Sequence, residues 1–323
     1  MDDLEFRTGA AVTPAGYTEL RNASAWLDLS ARGKIKASGE DRARLLHAMT
    51  TNHVEQLTPG TGCYAYFLSA QGRILADVNL LCRPDHFLLD TEPETHEKIF
   101  KHLDSFIIAD DVTIEDITHS LATIAIEGPG AATMLGRLGA PVPQRDYENA
   151  DWGEMLVVRT SCTGGPGFFV IAPVEERARL VESLTATGVV AADPEAFRIV
   201  RIENGRPRYG EDISERYLAQ ETNQERAMHF QKGCYLGQEI VERVRSRGQI
   251  HRVLVPIQIE GEEVPQPGTK LQAGESNAAE LTSAVFSPAL GTVAALAYVR
   301  TDHSAPGSEL TLEGRTAHVV KGI

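Results

Sequence analysis

The densest set of chemically useful side chains in the 323-residue sequence is one run, Lys232-Gly233-Cys234-Tyr235-Leu236-Gly237-Gln238-Glu239. Gly233 and Gly237 let the backbone turn tightly and approach a ligand closely. Cys234 stands just ahead of a helix expected over residues 239–245, which would put its sulfur near a positive helix end. Lys232 adds a cation, and both effects favour thiolate over thiol. Gln238 and Glu239 bring an amide and a carboxylate to the same mouth. Arg243, Arg245 and Arg247 follow on a basic segment suited to carboxylates or phosphates. Taken alone, the run leaves its chemistry open. A Cys between glycines is more often a small buried residue than a nucleophile, and alternating arginines are more often a solvated face.

The elements that must position this run fall into three stretches. In residues 1–115, Thr13-Pro14 starts a helix over 15–25, and 27–29 and 34–37 read as short strands. Leu45, Leu46 and Met49 then share helical spacing. Strands at 64–68 and 74–81 are joined by the turn-forming Ser69-Ala70-Gln71-Gly72, a strand spans 87–89, and Pro93 starts a helix with Ile99, Leu103 and Phe106 on one face. Residues 116–247 follow a similar plan. They show a strand at 121–126, a helix through Met134 and Leu138, strands at 155–159 and 168–171, and helices over 174–186 and from Pro194 towards Glu203. In residues 248–323, β-type runs at 253–259, 269–272, 281–286, 292–298 and 309–312 are split by Gly/Pro turns, the pattern of a small barrel or sandwich. The order predicts an α+β protein with largely antiparallel sheets.

Bulk properties exclude several classes. A net charge of −14 argues against a broad nucleic-acid interface. No apolar run approaches the ~18 residues that span a bilayer. The acidic start Met1-Asp2-Asp3 lacks the positive and apolar regions of a secretory signal. The expectation is a cytoplasmic protein without nucleic-acid or membrane partners. Cys63, Cys82, Cys162 and Cys234 form no C-x-x-C pair and read as free thiols. The histidines show no paired ligand spacing, so no metal site is expected. Gly128-Pro129-Gly130 lacks the third glycine of a dinucleotide loop, and neither G-x-x-x-x-G-K-[ST] nor G-x-S-x-G occurs.

The ungapped run KGCYLGQEIVERVRSRG, residues 232–248, resembles the signature of YgfZ-type proteins of the glycine-cleavage T-protein superfamily. Lys232, Gly233, Cys234, Tyr235, Gly237, Gln238, Glu239, Val241, Arg243, Arg247 and Gly248 all match it. Residues 27–81 are similar to the superfamily's amino-terminal pattern, through LDLS, Gly39-Glu40-Asp41, Thr50-Thr51-Asn52-His53-Val54 and the stretch from Gln71 to Asp77. The resemblance implies a three-domain ring, with two mixed α/β domains around a central folate channel and a C-terminal small β-barrel. It also implies tetrahydrofolate, or a one-carbon-substituted form, as the cofactor.

In T-proteins a carboxylate at the end of a Gly-Gly-Ile-Leu-Asp-Asp strand lies near the reacting folate nitrogen. This chain reads Ala76-Asp77 there, so Asp77 is implied as a catalytic residue beside Cys234. Glu203, in the R-x-E-x-G segment 201–205, is implied to bind the pterin edge, where two acceptor oxygens meet adjacent N–H donors. The plain alternative is that it pairs with Arg201 or Arg206 at the surface. Lys232, Gly233, Tyr235, Gln238, Arg243 and Arg247 complete the implied folate site.

Three functions remain. The first is a YgfZ-type folate-binding protein supporting assembly or repair of iron–sulfur enzymes, with those enzymes or cluster-assembly factors as partners. The second is an aminomethyltransferase of the glycine cleavage system. The third is a thiol-dependent enzyme using Cys234. The complete KGCYxGQE run favours the first, since T-proteins typically lack the Cys there, while Asp77 and Glu203 keep the second. The third lacks an identified base, His229 being close only in sequence.

Overall fold

The computed structural model describes residues 13–248 and 250–321, with Arg247 described by its backbone alone. Helix α1 (Tyr17–Asn22) and strand β1 (Ala25–Asp28) come first, followed by β2 (Gly33–Ser38), α2 (Arg42–Met49), β3 (Gly62–Leu68), β4 (Ile74–Cys82), β5 (His86–Thr91), α3 (His96–Asp104) and β6 (Thr113–Asp116). The expected helix over 15–25 is shorter because Ala23 leaves helical geometry, at φ −141° and ψ −113°.

A first sheet has the order β3-β4-β5-β2-β6 and is antiparallel throughout. Strand alternation sorts its side chains to two faces. Ala65 and Phe67 of β3, with Ala76, Val78 and Leu80 of β4, pack against Leu46 and Met49 of α2 and Ile99 and Leu103 of α3. Tyr64 and Tyr66, with Asp77 and Asn79, point the other way, towards the rest of the molecule.

The next elements are β7 (Leu121–Glu127), α4 (Ala131–Arg137), β8 (Asn149–Trp152), β9 (Met155–Val158), β10 (Gly167–Pro173), α5 (Arg177–Ala186) and β11 (Val190–Ala191). They form a second sheet, ordered β11-β1-β7-β10-β9-β8, into which the early strand β1 is inserted. Ala25 pairs with Glu127 and Asp28 with Ile124, so residues 1–115 are not a self-contained unit. The reason is packing. Ala25 and Leu27 join Phe169 and Ile171 on one face, while Trp26 joins Ile126 and Phe168 on the other.

Helix α6 (Pro194–Glu203) starts at a proline behind an extended Asp193. Phe197 and Val200 pack with Phe169 of the second sheet and with Val285 and Ala294 of the C-terminal region. Covered from several sides, this helix can bury Arg201 and Glu203 only if both are paired.

After α7 (Gln238–Arg247), Gly248 at φ 63° turns the chain into the C-terminal strands β12 (Arg252–Ile259), β13 (Lys270–Ala273), β14 (Ser276–Ser287), β15 (Thr292–Arg300), β16 (Glu309–Leu312) and β17 (Arg315–Val319). They close as β12-β15-β14-β13-β16-β17, with β17 pairing back onto β12 at Ile257 and Val319. Ile257, Leu271, Leu281, Val293, Val299 and Leu310 fill the barrel. Mixed α/β units followed by a small C-terminal barrel are thus the architecture, as the sequence predicts. No helix among the described residues is long and apolar enough to cross a membrane.

Candidate functional site

A cavity of about 410 Å³ opens between the inner face of the first sheet and the second sheet. That volume lies within the ~300–1,000 Å³ of small-molecule sites. Asp77 reaches it because β4 turns alternate residues inward. The Tyr64 hydroxyl donates to Asp77 Oδ2 at 2.9 Å. Burial pushes the Asp77 carboxyl up to about 6, with Glu92 adding to the rise, while Arg32, the Tyr64 hydrogen bond and Arg226 oppose it. Arg226 lies 4.2 Å from the Tyr64 ring centroid and donates to the Tyr147 hydroxyl. Asp77, Tyr64 and Arg226 therefore form one continuous contact chain at the cavity wall, and Tyr147 extends it behind the lining.

Most of the cavity's arginines are already engaged. Arg32 is held by Asp90 at 2.8 Å and by Glu92, and Arg208 by Glu92 at 2.8 Å and Glu94 at 2.6 Å. Arg198 pairs with Glu211 at 2.7 Å, and Arg201 with Glu211 and Asp212. Arg206 and Arg226 have no carboxylate partner among the described residues, and both lie over Tyr64. Two guanidinium groups without a carboxylate partner in one wall can receive a ligand's carboxylate.

The opposite wall carries Ser161 and Cys162. Glu127, fully buried at the end of β7, accepts the backbone N–H of Cys162 at 2.7 Å and of Thr163 at 3.0 Å. It also accepts the Ser161 hydroxyl at 2.7 Å and the Cys162 thiol at 3.0 Å. Burial, and then the Glu127 carboxylate, push the Cys162 thiol well up, so it stays protonated. Tyr64, Arg226 and Cys162 are cavity residues that sequence reasoning did not single out. The Tyr64/Tyr66 alternation along β3 was the available signal for the first.

The other expected site residues lie elsewhere. Glu203 is buried against Tyr17, whose hydroxyl donates to it at 2.6 Å, and against Arg21 and Ser287. It does not line the cavity, and it pairs with neither Arg201 nor Arg206. On the same helix, Pro194, Phe197, Arg198 and Arg201 are the residues that do line it.

The Lys232 run sits at the end of α2 and the edge of β3, outside the cavity lining. Lys232 Nζ donates to the carbonyls of His47 and Thr50, each at 2.5 Å, and of Asn52 at 2.8 Å. Burial pushes this amine down to about 7, with Cys63 and Glu55 opposing the fall. Tyr235 places its ring 4.7 Å from Nζ, and Gln238 Oε1 accepts the Tyr235 N–H at 3.2 Å. Gly237, at φ 84°, precedes α7 and leaves no room for a β-carbon against Ser69 and Leu68. Arg243 pairs with Glu239 on the exposed face of α7, and the side chain of Arg247 lies outside the description. Cys234 and Gly233 are exposed. The structure thus separates Asp77 from every other expected site residue it describes. Among the described residues, no group of His, Cys, Asp or Glu is set to hold a metal ion.

Comparison with known proteins supplies the context. The GCVT N-terminal domain model matches residues 7–232, and the glycine cleavage T-protein C-terminal barrel domain model matches residues 252–321. An aminomethyltransferase of Rubrobacter xylanophilus is 31% identical over 292 residues, covering 88% of this chain and 78% of that protein. One of Streptomyces coelicolor is 28% identical over 309 residues, covering 91% and 82%. The crystal structure of glycine cleavage system aminomethyltransferase T from Bartonella henselae matches with a TM-score of 0.86 at 20% identity, over 95% of this chain and 88% of that one, a likeness of fold. These relatives are named for aminomethyl transfer, so they favour the second of the three functions over the iron–sulfur reading that the Lys232 run suggested. The chain belongs to the glycine cleavage T-protein family.

Proposed function

We propose that the cavity is the site of a tetrahydrofolate-dependent aminomethyltransferase, with Asp77 as its acid–base residue. The observation that carries this is the Asp77 carboxyl, raised to about 6 and hydrogen-bonded by Tyr64 inside the cavity. The residues suit such a ligand. An inward aromatic ring, a carboxyl group, and Arg206 and Arg226 without a carboxylate partner among the described residues match a flat heterocyclic body with a carboxylate-bearing tail. Tetrahydrofolate, when bound, supplies a nucleophilic nitrogen that accepts a one-carbon unit. Asp77, titrating near neutrality, can hold or release a proton at the oxygen that Tyr64 leaves free. Arg206 and Arg226 bind the anionic end, and Arg32, Asp90 and Asn79 fix the floor around Asp77.

Ala76 does not weaken this reading. It is fully buried on the α2 side of β4, so an acid there would point away from the cavity. One observation sustains a second reading, a folate-binding role in iron–sulfur enzyme maintenance. The complete KGCYLGQE run is present, and the cavity does not use it.

Calorimetric titration of 5-formyltetrahydrofolate into wild type and Arg226→Gln tests the site. Losing a charge-assisted bond should weaken binding by roughly ten- to a hundred-fold, from about 1.5–3 kcal/mol. Turnover follows from aminomethyl-loaded lipoyl carrier and tetrahydrofolate, read as methylene-tetrahydrofolate and ammonia, and should be lost in Asp77→Asn. No binding heat in the wild type ends the folate reading, and tight binding without turnover transfers support to the second.

A further inference from the structure

The wall opposite Asp77 rests on Glu127, a fully buried residue outside the cavity lining. Strand β7 ends at Glu127 and pairs it with Gly167 of β10. A β-carbon on Gly167 would lie 2.8 Å from Glu127 Cγ, so the glycine opens the space into which the side chain folds. From there the carboxylate reaches the turn at residues 161–163. Oε1 accepts the Cys162 N–H at 2.7 Å and its thiol at 3.0 Å. Oε2 accepts the Thr163 N–H at 3.0 Å, the Ser161 hydroxyl at 2.7 Å and the Thr163 hydroxyl. Each oxygen thus receives one backbone N–H. A carboxamide has a single acceptor oxygen, so in either orientation its NH2 would face a backbone N–H. The turn requires a carboxylate at position 127.

The turn, so held, seats Arg206. Gly164 follows Thr163 at φ 83°, and a β-carbon on it would lie 3.1 Å from Arg206 Cβ and 3.5 Å from its Cγ. The arginine stem therefore lies across bare backbone. Asn204 Nδ2 donates to the Thr163 carbonyl at 2.9 Å, and Arg206 Nη2 to the Ser161 carbonyl at the long distance of 3.5 Å. The guanidinium carbon lies 5.9 Å from the Tyr64 ring centroid, at the cavity. A free arginine side chain samples many rotamers, and binding through it costs that freedom. Here the turn has already restricted the stem.

We propose, resting on the tetrahydrofolate reading of the cavity, that Glu127 is the positioning residue that aims Arg206 and so makes the cavity select reduced pterins carrying an anionic tail over those that lack one. Glu127 touches no ligand itself. It fixes the turn, the turn seats the arginine stem, and the seated guanidinium meets a carboxylate with little further ordering. A pterin without a tail offers Arg206 no carboxylate, so it gains nothing from this arrangement. The selectivity therefore depends on a side chain that lies behind the wall.

Calorimetric titration of the full chain with 5-formyltetrahydrofolate and with the tailless 6-methyltetrahydropterin tests this, with circular dichroism as the check on folding. Glu127→Gln should weaken the tailed ligand by about tenfold and the tailless one by no more than about twofold. Arg206→Gln should do the same. The double variant should be little worse than Arg206→Gln alone, because Glu127 acts through the arginine. Thr163→Val removes one hydroxyl donor outside the cavity lining and keeps both backbone bonds to Glu127. It should weaken the tailed ligand by about threefold. If Glu127→Gln does not fold, Thr163→Val takes its place, alone and combined with Arg206→Gln. Equal losses for the two ligands, additive losses in the double variant, or undiminished affinity for the tailed ligand overturn the proposal while leaving the tetrahydrofolate reading in place. Wild type that binds neither ligand ends that reading, and the proposal with it.

Discussion

Asp77 carries a charge where the protein makes that charge costly. Its carboxyl titrates near 6 instead of 3.8 because the cavity wall removes water from it, and Arg32 and Arg226 recover only part of the loss. A raised carboxyl favours the fold while protonated, so this contribution is complete below about pH 4 and is lost as pH climbs through 6. Asp77→Asn mimics the protonated form. It should be more stable than wild type above pH 6 by up to about 3 kcal/mol, and the advantage should vanish below about pH 4. Urea unfolding of both proteins from pH 4 to 8 measures it, and a stability difference that ignores pH would refute the burial account. Asp77 was reachable from sequence because a family pattern ends on it. Tyr64, Arg206 and Arg226 were not, because their meeting with Asp77 is made by the packing of distant segments.

At the scale of elements, the glycines of the Lys232 run answer to the chain itself. Gly237 begins α7 at φ 84°, and a β-carbon there would meet the Ser69 carbonyl at 2.7 Å and Leu68 Cβ at 2.9 Å. The run crosses the β3–β4 turn at this point, and only glycine lets it pass. Gly237→Ala adds the left-handed strain of a side chain, about 1–2 kcal/mol, to an overpacking cost of about 1–3 kcal/mol. Chemical denaturation should show a loss of roughly 2–5 kcal/mol, while the folded fraction binds 5-formyltetrahydrofolate as wild type does. Affinity falling in step with stability would mean that the run does reach the cavity.

The sequence called for these glycines without saying what they approach, since a close backbone neighbour and a close ligand select the same residue. Strand runs bounded by turns were legible for five of the six barrel strands. β17 was missed because Arg315, Thr316 and His318 interrupt its apolar positions. β1 was legible as a strand, but its sheet was not, because its partners β7 and β11 lie far along the chain.

Across the whole molecule, one buried carboxylate ties the barrel to the cavity. A register shift in β14 between Leu281 and Ser283 turns the hydroxyls of Thr282 and Ser283 towards Asp212 Oδ1, at 2.7 and 2.6 Å. Asp212 Oδ2 accepts Arg201 Nη1 at 2.5 Å and the Arg208 N–H at 3.1 Å. Arg201 and Arg208 both line the cavity, so the barrel fixes part of its wall without contributing to the lining itself. Glu203 makes a parallel tie, joining Tyr17 and Arg21 of α1 to Ser287 at the end of β14. The double variant Thr282→Val/Ser283→Ala removes both barrel donors and keeps the Arg201–Asp212 pair. Each lost bond to a charged group costs about 1.5–3 kcal/mol, so stability should fall by roughly 3–6 kcal/mol. Arg201 would also lose its fixed position, so 5-formyltetrahydrofolate should bind several-fold more weakly in the molecules that remain folded, with KM rising more than kcat falls. Unchanged affinity and KM in a destabilised variant would show that the barrel supports the fold without setting the cavity wall.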